Sequence, residues 1–373
     1  KEDMKKLIWL TLLGLLLTGT LCSQELKISG EMWNRWTIVN GKVPADSSNA
    51  ILKNYFSLER GYFGLEPKFS ETVKGRFTVD IFSSDDNKNG AGLKLKYAYL
   101  DFSNLIPIPD LTTTVGLQKV YFGSIYDWTY DLIGKAPADE YSITNSSDYG
   151  ITFNGYFPEG WGEYAVGIYN GEGYKNYGAN LKDNIEPAFV GNLRITPVSG
   201  IMVGGSIMIN SNERKKLLTD NTINPKFNQQ LLLDGLGSIT YGPINLCLEY
   251  ISKKVMHADE FSNKDYTANC LSVIPTIKLQ KLIGYDLDLI GRYDRWDETD
   301  NPSNQNLLNA ITAGLNYKFM HNESANPAMQ FQLNYTYKSY DEEESSASYA
   351  NKLKDSSTLL LQLKWRFNNT ITL

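Results

Sequence analysis

From Met329 to Tyr340 the chain reads "MQFQLNYTYKSY", and every second residue changes character. Met329, Phe331, Leu333, Tyr335 and Tyr337 are apolar or aromatic, while Gln330, Gln332, Asn334, Thr336 and Lys338 are polar. A strand sends alternate side chains to opposite faces, so this segment has one greasy face and one wet face. The same period recurs along the chain. "VKGRFTVDIF" sets Val73, Gly75, Phe77, Val79 and Ile81 against Lys74, Arg76, Thr78 and Asp80; "ITAGLNYKF" and "TLLLQLKWRF" repeat it further on. Each run has about the length a tilted strand needs to cross a bilayer. Two architectures accept such strands. In a soluble sandwich the greasy face is the core; in a wide barrel it is the outside, and the wet face lines a lumen.

The connections decide between the two. Counting runs predicts roughly sixteen strands, near 25–39, 54–66, 72–83, 92–102, 111–120, 148–157, 163–171, 187–196, 200–210, 230–241, 244–253, 266–280, 285–296, 307–319, 328–339 and 357–367. After strands two, six, eight and ten the links are tight: "PKFSET", "PEGWG", "PVSG", "YGP". After strands one, three, five, seven and nine they are long and polar, among them "SSDDNKNGAG" and "NERKKLLTDNTINPKFNQ". Short periplasmic turns alternating with long external loops is the asymmetry of an outer-membrane barrel, and a sandwich has no reason to keep it. The expected fold is all-β: a transmembrane antiparallel β-barrel of about 16 strands, whose lumen is too wide for side chains to fill.

That barrel is expected to occupy residues 24–373. Residues 4–23 read as a secretory signal peptide: "MKKLIWLTLLGLLL" is basic, then apolar over a stretch too short to span, and small and polar residues follow. The rival is a lipoprotein signal acylated at Cys22, disfavoured by Leu21 where a small residue is wanted. A mean hydropathy of −0.33 is too polar for a bundle of membrane helices, and 24 tyrosines suit two interfacial aromatic girdles. The net charge of −6, with no basic block, argues against nucleic acid as a partner.

Chemistry finds little purchase. His257 and His321 lack metal-ligand spacing, and no histidine falls in an expected strand to activate an outer-wall serine. Neither an enzyme nor a cofactor or metal centre is expected. A pore works instead by charge and width. The wall candidates are Arg35, Arg60, Lys74, Arg76, Asp80, Lys119, Arg194, Arg292, Lys318, Lys338, Lys364 and Arg366. In strand two, Phe56 and Leu58 share one parity and Gly61, Phe63 and Leu65 the other. A β-bulge near Glu59 and Arg60 would align both sets outward and turn both charges inward. With these cations on the strands and many acids in loops, the lumen is expected to favour anions weakly.

The connection from Tyr121 to Ser147, "YFGSIYDWTYDLIGKAPADEYSITNSS", is the third external loop. Folded inward, its Tyr126, Asp127, Trp128, Asp131, Asp139 and Glu140 would form one side of a constriction. Its rings need burial, in the barrel mouth or against a neighbouring subunit. "YDEEESSASYANKLKD" (Tyr340 to Asp355) reads as a solvated outer loop. Cys247 and Cys270 fall on the lumen side of adjacent strands. If they stand opposite, the hairpin centres between Ala258 and Asp259 and a disulfide can form; a slip of two residues would put the sulfurs out of reach, and two free thiols are the favoured reading.

Five stretches in order, "LERGYFGLEPKF", "LKYAYLDF", "VGLQKVYFG", "SDYGITFNGYF" and "YAVGIYNGEGY", resemble successive segments of the phosphate- and polyphosphate-selective porin family (porin O and P type). The resemblance covers Leu58 to Gly173, with Tyr121 where that family has proline and without its dense basic ladder. It implies the outer membrane of a Gram-negative-type bacterium, contact with lipid and lipopolysaccharide, and a homotrimer. The expected function is a porin for passive diffusion of small hydrophilic solutes, anions such as phosphate among them. The alternative is a loop-plugged barrel acting as an adhesin or surface anchor, which the acid- and tyrosine-rich loops favour.

Overall fold

The structure is a computed structural model that describes residues 25–42, 49–84, 90–175, 187–211, 229–256, 264–301, 306–321, 327–342 and 355–372. The signal segment, Cys22, His257 and most of the acid-rich loop lie outside the described residues.

Sixteen strands form one closed sheet: β1 Glu25–Lys42, β2 Asn49–Lys68, β3 Val73–Ser83, β4 Ala91–Ser103, β5 Thr112–Lys119, β6 Ser147–Tyr156, β7 Gly162–Tyr169, β8 Ala188–Val198, β9 Ile201–Ser211, β10 Gln229–Tyr241, β11 Ile244–Val255, β12 Tyr266–Lys278, β13 Leu287–Asp297, β14 Asn306–His321, β15 Pro327–Glu342 and β16 Ser356–Thr372. Each pairs antiparallel with its sequence neighbour, and β1 closes the ring on β16 from Glu25↔Thr372 to Gly41↔Ser356. Closure gives every strand a hydrogen-bonded neighbour on both sides, so the sheet has no edge strand. The tight links, such as 199–200 and 242–243, gather at one rim; the long ones, such as 120–146, leave the other.

The alternation of β15 resolves as a wall with a wet inside. Gln332 and Asn334 are 0% exposed and Gln330 2%, whereas Phe331, Leu333, Tyr335 and Tyr337 are 41–49% exposed on the outer surface. Outward positions elsewhere follow suit: Val166, Ile168, Val203, Ile207 and Leu248 are all exposed. Aromatics mark the short-turn rim, where Tyr156, Trp161, Tyr241 and Tyr285 stand out from the wall.

Two bulges keep charges inside. In β2 the register slips so that Trp33 faces Arg60 and Asn34 faces Leu58, leaving Glu59 as the extra residue. Arg60 then pairs with Asp80, and Glu59 with Arg35 at 3.2 Å. The bulge expected near Glu59 is present, and it sends both charges inward. In β4 a second slip, Thr78↔Tyr97 then Val79↔Leu95, does the same for Lys96.

The possible Cys247–Cys270 bridge does not form. Cys247 lies opposite Ile274 and Cys270 opposite Ile251, and both thiols are free. The hairpin is offset by four residues from the register a bridge needs, which places the sulfurs more than 7 Å apart along strands rising roughly 3.4 Å per residue. The polar stretch leading into β12 lets the turn sit at several places. Packing selects the register, because Ile251 and Cys270 share a buried cluster against the third loop.

Candidate functional site: the lumen and its inward loop

Residues 120–146 turn into the barrel. The entry turn needs Gly123, which has φ +51°, and a Cβ there would collide with the Glu249 carboxylate. Glu249 accepts hydrogen bonds from the Ser124 N–H (2.9 Å) and hydroxyl (2.6 Å), while Arg194 donates to the Gly123 carbonyl (2.6 Å). Phe122, Ile125, Ala136, Ala138 and Ile143 then pack on inward-facing Val190, Met208, Leu232, Ile251 and Cys270. The loop therefore sits on its own small hydrophobic core along the inner wall of β7–β12. Fully burying side chains of this size is worth about 1.5–3 kcal/mol each for the larger ones.

The tip crosses the lumen to the opposite wall. Gln332 donates to the Tyr130 and Asp131 carbonyls at 2.9 and 3.0 Å, and Asn316 donates to Asp131 as well. Behind Gln332 runs a relay: Gln362 donates to Gln332 (2.7 Å) and Arg35 to Gln362 (3.0 Å). Lys364 reaches the Thr129 carbonyl at 3.4 Å. On the return, Arg292 donates to the Lys135 carbonyl (2.7 Å), Tyr141 to Asp294 (2.8 Å), and Lys253 to the Ile143 carbonyl (3.2 Å).

Tyr130 adopts φ +54°, a conformation that costs a bulky residue of order 1–3 kcal/mol and must be imposed by its surroundings. It is imposed here by Gln332 on its carbonyl and by Trp33 on its ring, with centroids 4.7 Å apart. Trp128 completes the cluster, edge-on to Tyr130 at 6.5 Å, its indole N–H donated to the Gly134 carbonyl (2.9 Å). Burial pushes the phenols of Tyr126, Tyr130 and Tyr141 up, so they act as neutral hydroxyl groups.

Trp33 and Tyr130 form a neck between two cavities, and both residues line each of them. The cavity toward the long-loop rim, about 230 Å³, carries Arg35, Arg60, Lys135, Arg292 and Lys338 against Glu59, Glu140 and Asp294. The cavity toward the short-turn rim, about 320 Å³, carries Lys27, Arg76, Lys96, Lys364 and Arg366 against Glu31 alone. Bases outnumber acids on both sides of the neck, although the whole chain is acidic.

The residues expected on the wall fall into three groups. Arg35, Arg60, Arg76, Arg292, Lys338, Lys364 and Arg366 line the two cavities, with Asp80 fully buried behind Arg60. Arg194, paired with Asp127 (2.6 Å) and Glu163 (3.3 Å), fixes the loop; Lys119 lines a side cavity with Tyr126, Asp127 and Glu163. Lys74 and Lys318 lie away from the neck, Lys74 exposed near the short-turn rim and Lys318 paired with Asp288 at 2.6 Å. His321 beside it pairs with Asp286 at 2.9 Å. Among the loop candidates, Tyr126 donates to Glu163, Glu140 stands 3.9 Å from Lys338, and Asp131 accepts from Thr129. Asp139 sits half-buried in the one-turn helix Pro137–Glu140.

Sequence reasoning missed Lys96 and the neck ring Trp33. The sign for Lys96 is in "LKLKYAYLDF": Lys94 and Lys96 share one parity, but Tyr97, Tyr99 and Asp101 have the other, so a bulge must intervene. Trp33 is aromatic at a wet-face position beside Glu31 and Arg35, which is the mark of a ring serving the lumen.

No protein-family model matches the chain, and no curated protein matches it. Solved structures do. The outer membrane channel DcaP of Acinetobacter baumannii is 12% identical, with a TM-score of 0.65, over 93% of this chain and 98% of that one. An anion-selective porin from Comamonas acidovorans is 12% identical, with a TM-score of 0.60, over 92% and 99%. In-vitro folded OmpT of Vibrio cholerae, in its trimer form, is 12% identical, with a TM-score of 0.59, over 92% and 99%. At such identities the likeness is one of fold.

Proposed function

We propose that this chain is an outer-membrane porin, a passive channel rather than an enzyme, that admits small hydrophilic solutes and favours anions weakly. Phosphate-sized anions are among its candidate solutes. The observation that carries the reading is the basic excess on both sides of the Trp33–Tyr130 neck. Fixed charges beside a narrow, low-dielectric passage act far more strongly than charges in exposed loops, so the wall outweighs the acidic total. Residues 4–23 are the export signal in this reading, and residues 24–373 the barrel. The long loops then face outward against lipopolysaccharide, and the exposed apolar band faces the lipid of a Gram-negative-type outer membrane.

The cations that should matter are those sharing acids. Lys364 and Arg366 both lean on Glu31 (3.3 and 3.8 Å), and Lys27 and Arg76 both lean on Glu66 (3.2 and 3.9 Å). Arg76→Ala with Lys364→Ala should move the zero-current potential in a salt gradient toward the cation side. An unmoved potential in the double variant would put selectivity elsewhere.

A homotrimer belongs to the same reading. β5 and β7 have eight residues each, fewer than the roughly nine to eleven a tilted strand needs to span lipid. A neighbouring copy covering this low wall removes the mismatch, and exposed Val115, Ile151 and Val166 would meet it. Val166→Arg should lower the trimer fraction on unheated gels several-fold; a trimer as stable as the parent would place the contact on another face. The other reading, a plugged barrel serving as adhesin or anchor, draws on the many anchors of the inward loop, and it requires zero conductance.

A further inference from the structure

The short-turn cavity sets its bases among rings. Arg76 stacks over Tyr97 (4.5 Å), Lys364 lies over Trp33 (5.2 Å), and Trp33 meets Tyr62 edge-on at 5.9 Å. Lys96 is 5% exposed, donates to Ser146 and lies 4.3 Å from the Tyr174 ring. Among the described residues no carboxylate pairs with Lys96, while Arg76 and Lys364 each share an acid with a second base. The site therefore sets four bases, Lys27, Arg76, Lys364 and Arg366, against the two acids they share, Glu31 and Glu66, with flat apolar walls beside them. Its volume, about 320 Å³, falls at the small end of the roughly 300–1,000 Å³ that ligand pockets occupy.

A spherical inorganic anion would use the bases and leave the rings idle. A planar anion uses both: its carboxylate meets the Arg76 fork or the lysines, and its ring lies offset against Tyr97, Tyr62 or Trp33. We infer that this cavity is a binding subsite for small aromatic carboxylates, held by Arg76, Lys96 and Lys364 between the rings of Trp33, Tyr62 and Tyr97. The inference rests on the porin reading and gives that channel a solute class: an aryl carboxylate dwells beside the neck, whereas chloride and phosphate pass.

The test uses two readouts on the full, refolded barrel, with benzoate as probe and acetate, cyclohexanecarboxylate and phosphate as comparators. Equilibrium binding in detergent needs no conduction. Benzoate should bind at least about tenfold more tightly than each comparator. Tyr97→Leu should remove that advantage while phosphate binding holds, and Arg76→Gln with Lys96→Gln should weaken every anion. In planar bilayers, millimolar benzoate should interrupt the chloride current in resolvable events that Tyr97→Leu shortens. Equal binding of benzoate and cyclohexanecarboxylate would overturn the role of the rings, and equal binding of benzoate and phosphate would overturn the solute class. A protein that binds benzoate selectively yet passes no current would sink the porin reading and leave the subsite standing.

Discussion

Deleting 127–137 should raise single-channel conductance at least twofold while the barrel still folds. The deleted stretch holds the tip that crosses the lumen: Trp128, Tyr130, Leu132 and the carbonyls held by Gln332, Asn316 and Lys364. It also removes Tyr130 from Trp33, which opens the neck into one continuous cavity. The sheet does not depend on it, since every strand pairs with its neighbours without the loop. The entry residues Phe122 and Ile125 keep their seat on the inner wall. The measurement is conductance in planar bilayers beside strand content by circular dichroism. An unchanged conductance in a folded variant would mean that current passes elsewhere, or that another segment sets the narrow point.

Arg60→Ala should destabilise the barrel by about 3–5 kcal/mol, and adding Asp80→Asn should recover most of that loss. The pair is buried to different depths, with the Arg60 side chain 16% exposed and Asp80 0%. Removing the arginine leaves a fully buried carboxylate without its ion-pair partner, and the cost comes from that orphan rather than from the lost attraction. Neutralising Asp80 as well removes the orphan. Urea unfolding from lipid vesicles, followed by Trp fluorescence, reads both steps. Equal destabilisation in the single and double variants would show that Arg60 acts through packing against Tyr62, over whose ring it lies at 6.0 Å.

How much of this was legible in the sequence follows from where the lumen is wet. In β13–β16 the inner face meets water or the loop's carbonyls, so it stays polar and the two-residue period reads clearly from Gln330 to Lys338. In β8–β12 the inner face carries the hydrophobic seat of the loop. Leu231 to Leu233 is then apolar on both faces and the alternation fades, although Leu232 is the only one of the three that packs inward on the loop cluster. The strands there remained readable from length and turn residues, but the seat itself was not. The charged wall was legible where parity is continuous, and the "LERGYFGLE" parity break pointed to its bulge. The same break in "LKLKYAY" was overlooked, and Lys96 with it. Cysteine pairing was not legible, because a hairpin whose turn can slide has no register until its side chains pack.

A porin needs a water-filled, base-lined path through this barrel, and the zero-current potential of the purified wild-type protein in a planar bilayer under an approximately tenfold potassium chloride gradient tests for one. The expected result is discrete conductance steps, with the potential displaced modestly to the chloride side. Folded protein that inserts without steps would sink the porin reading, and a potential on the potassium side would sink its anion preference.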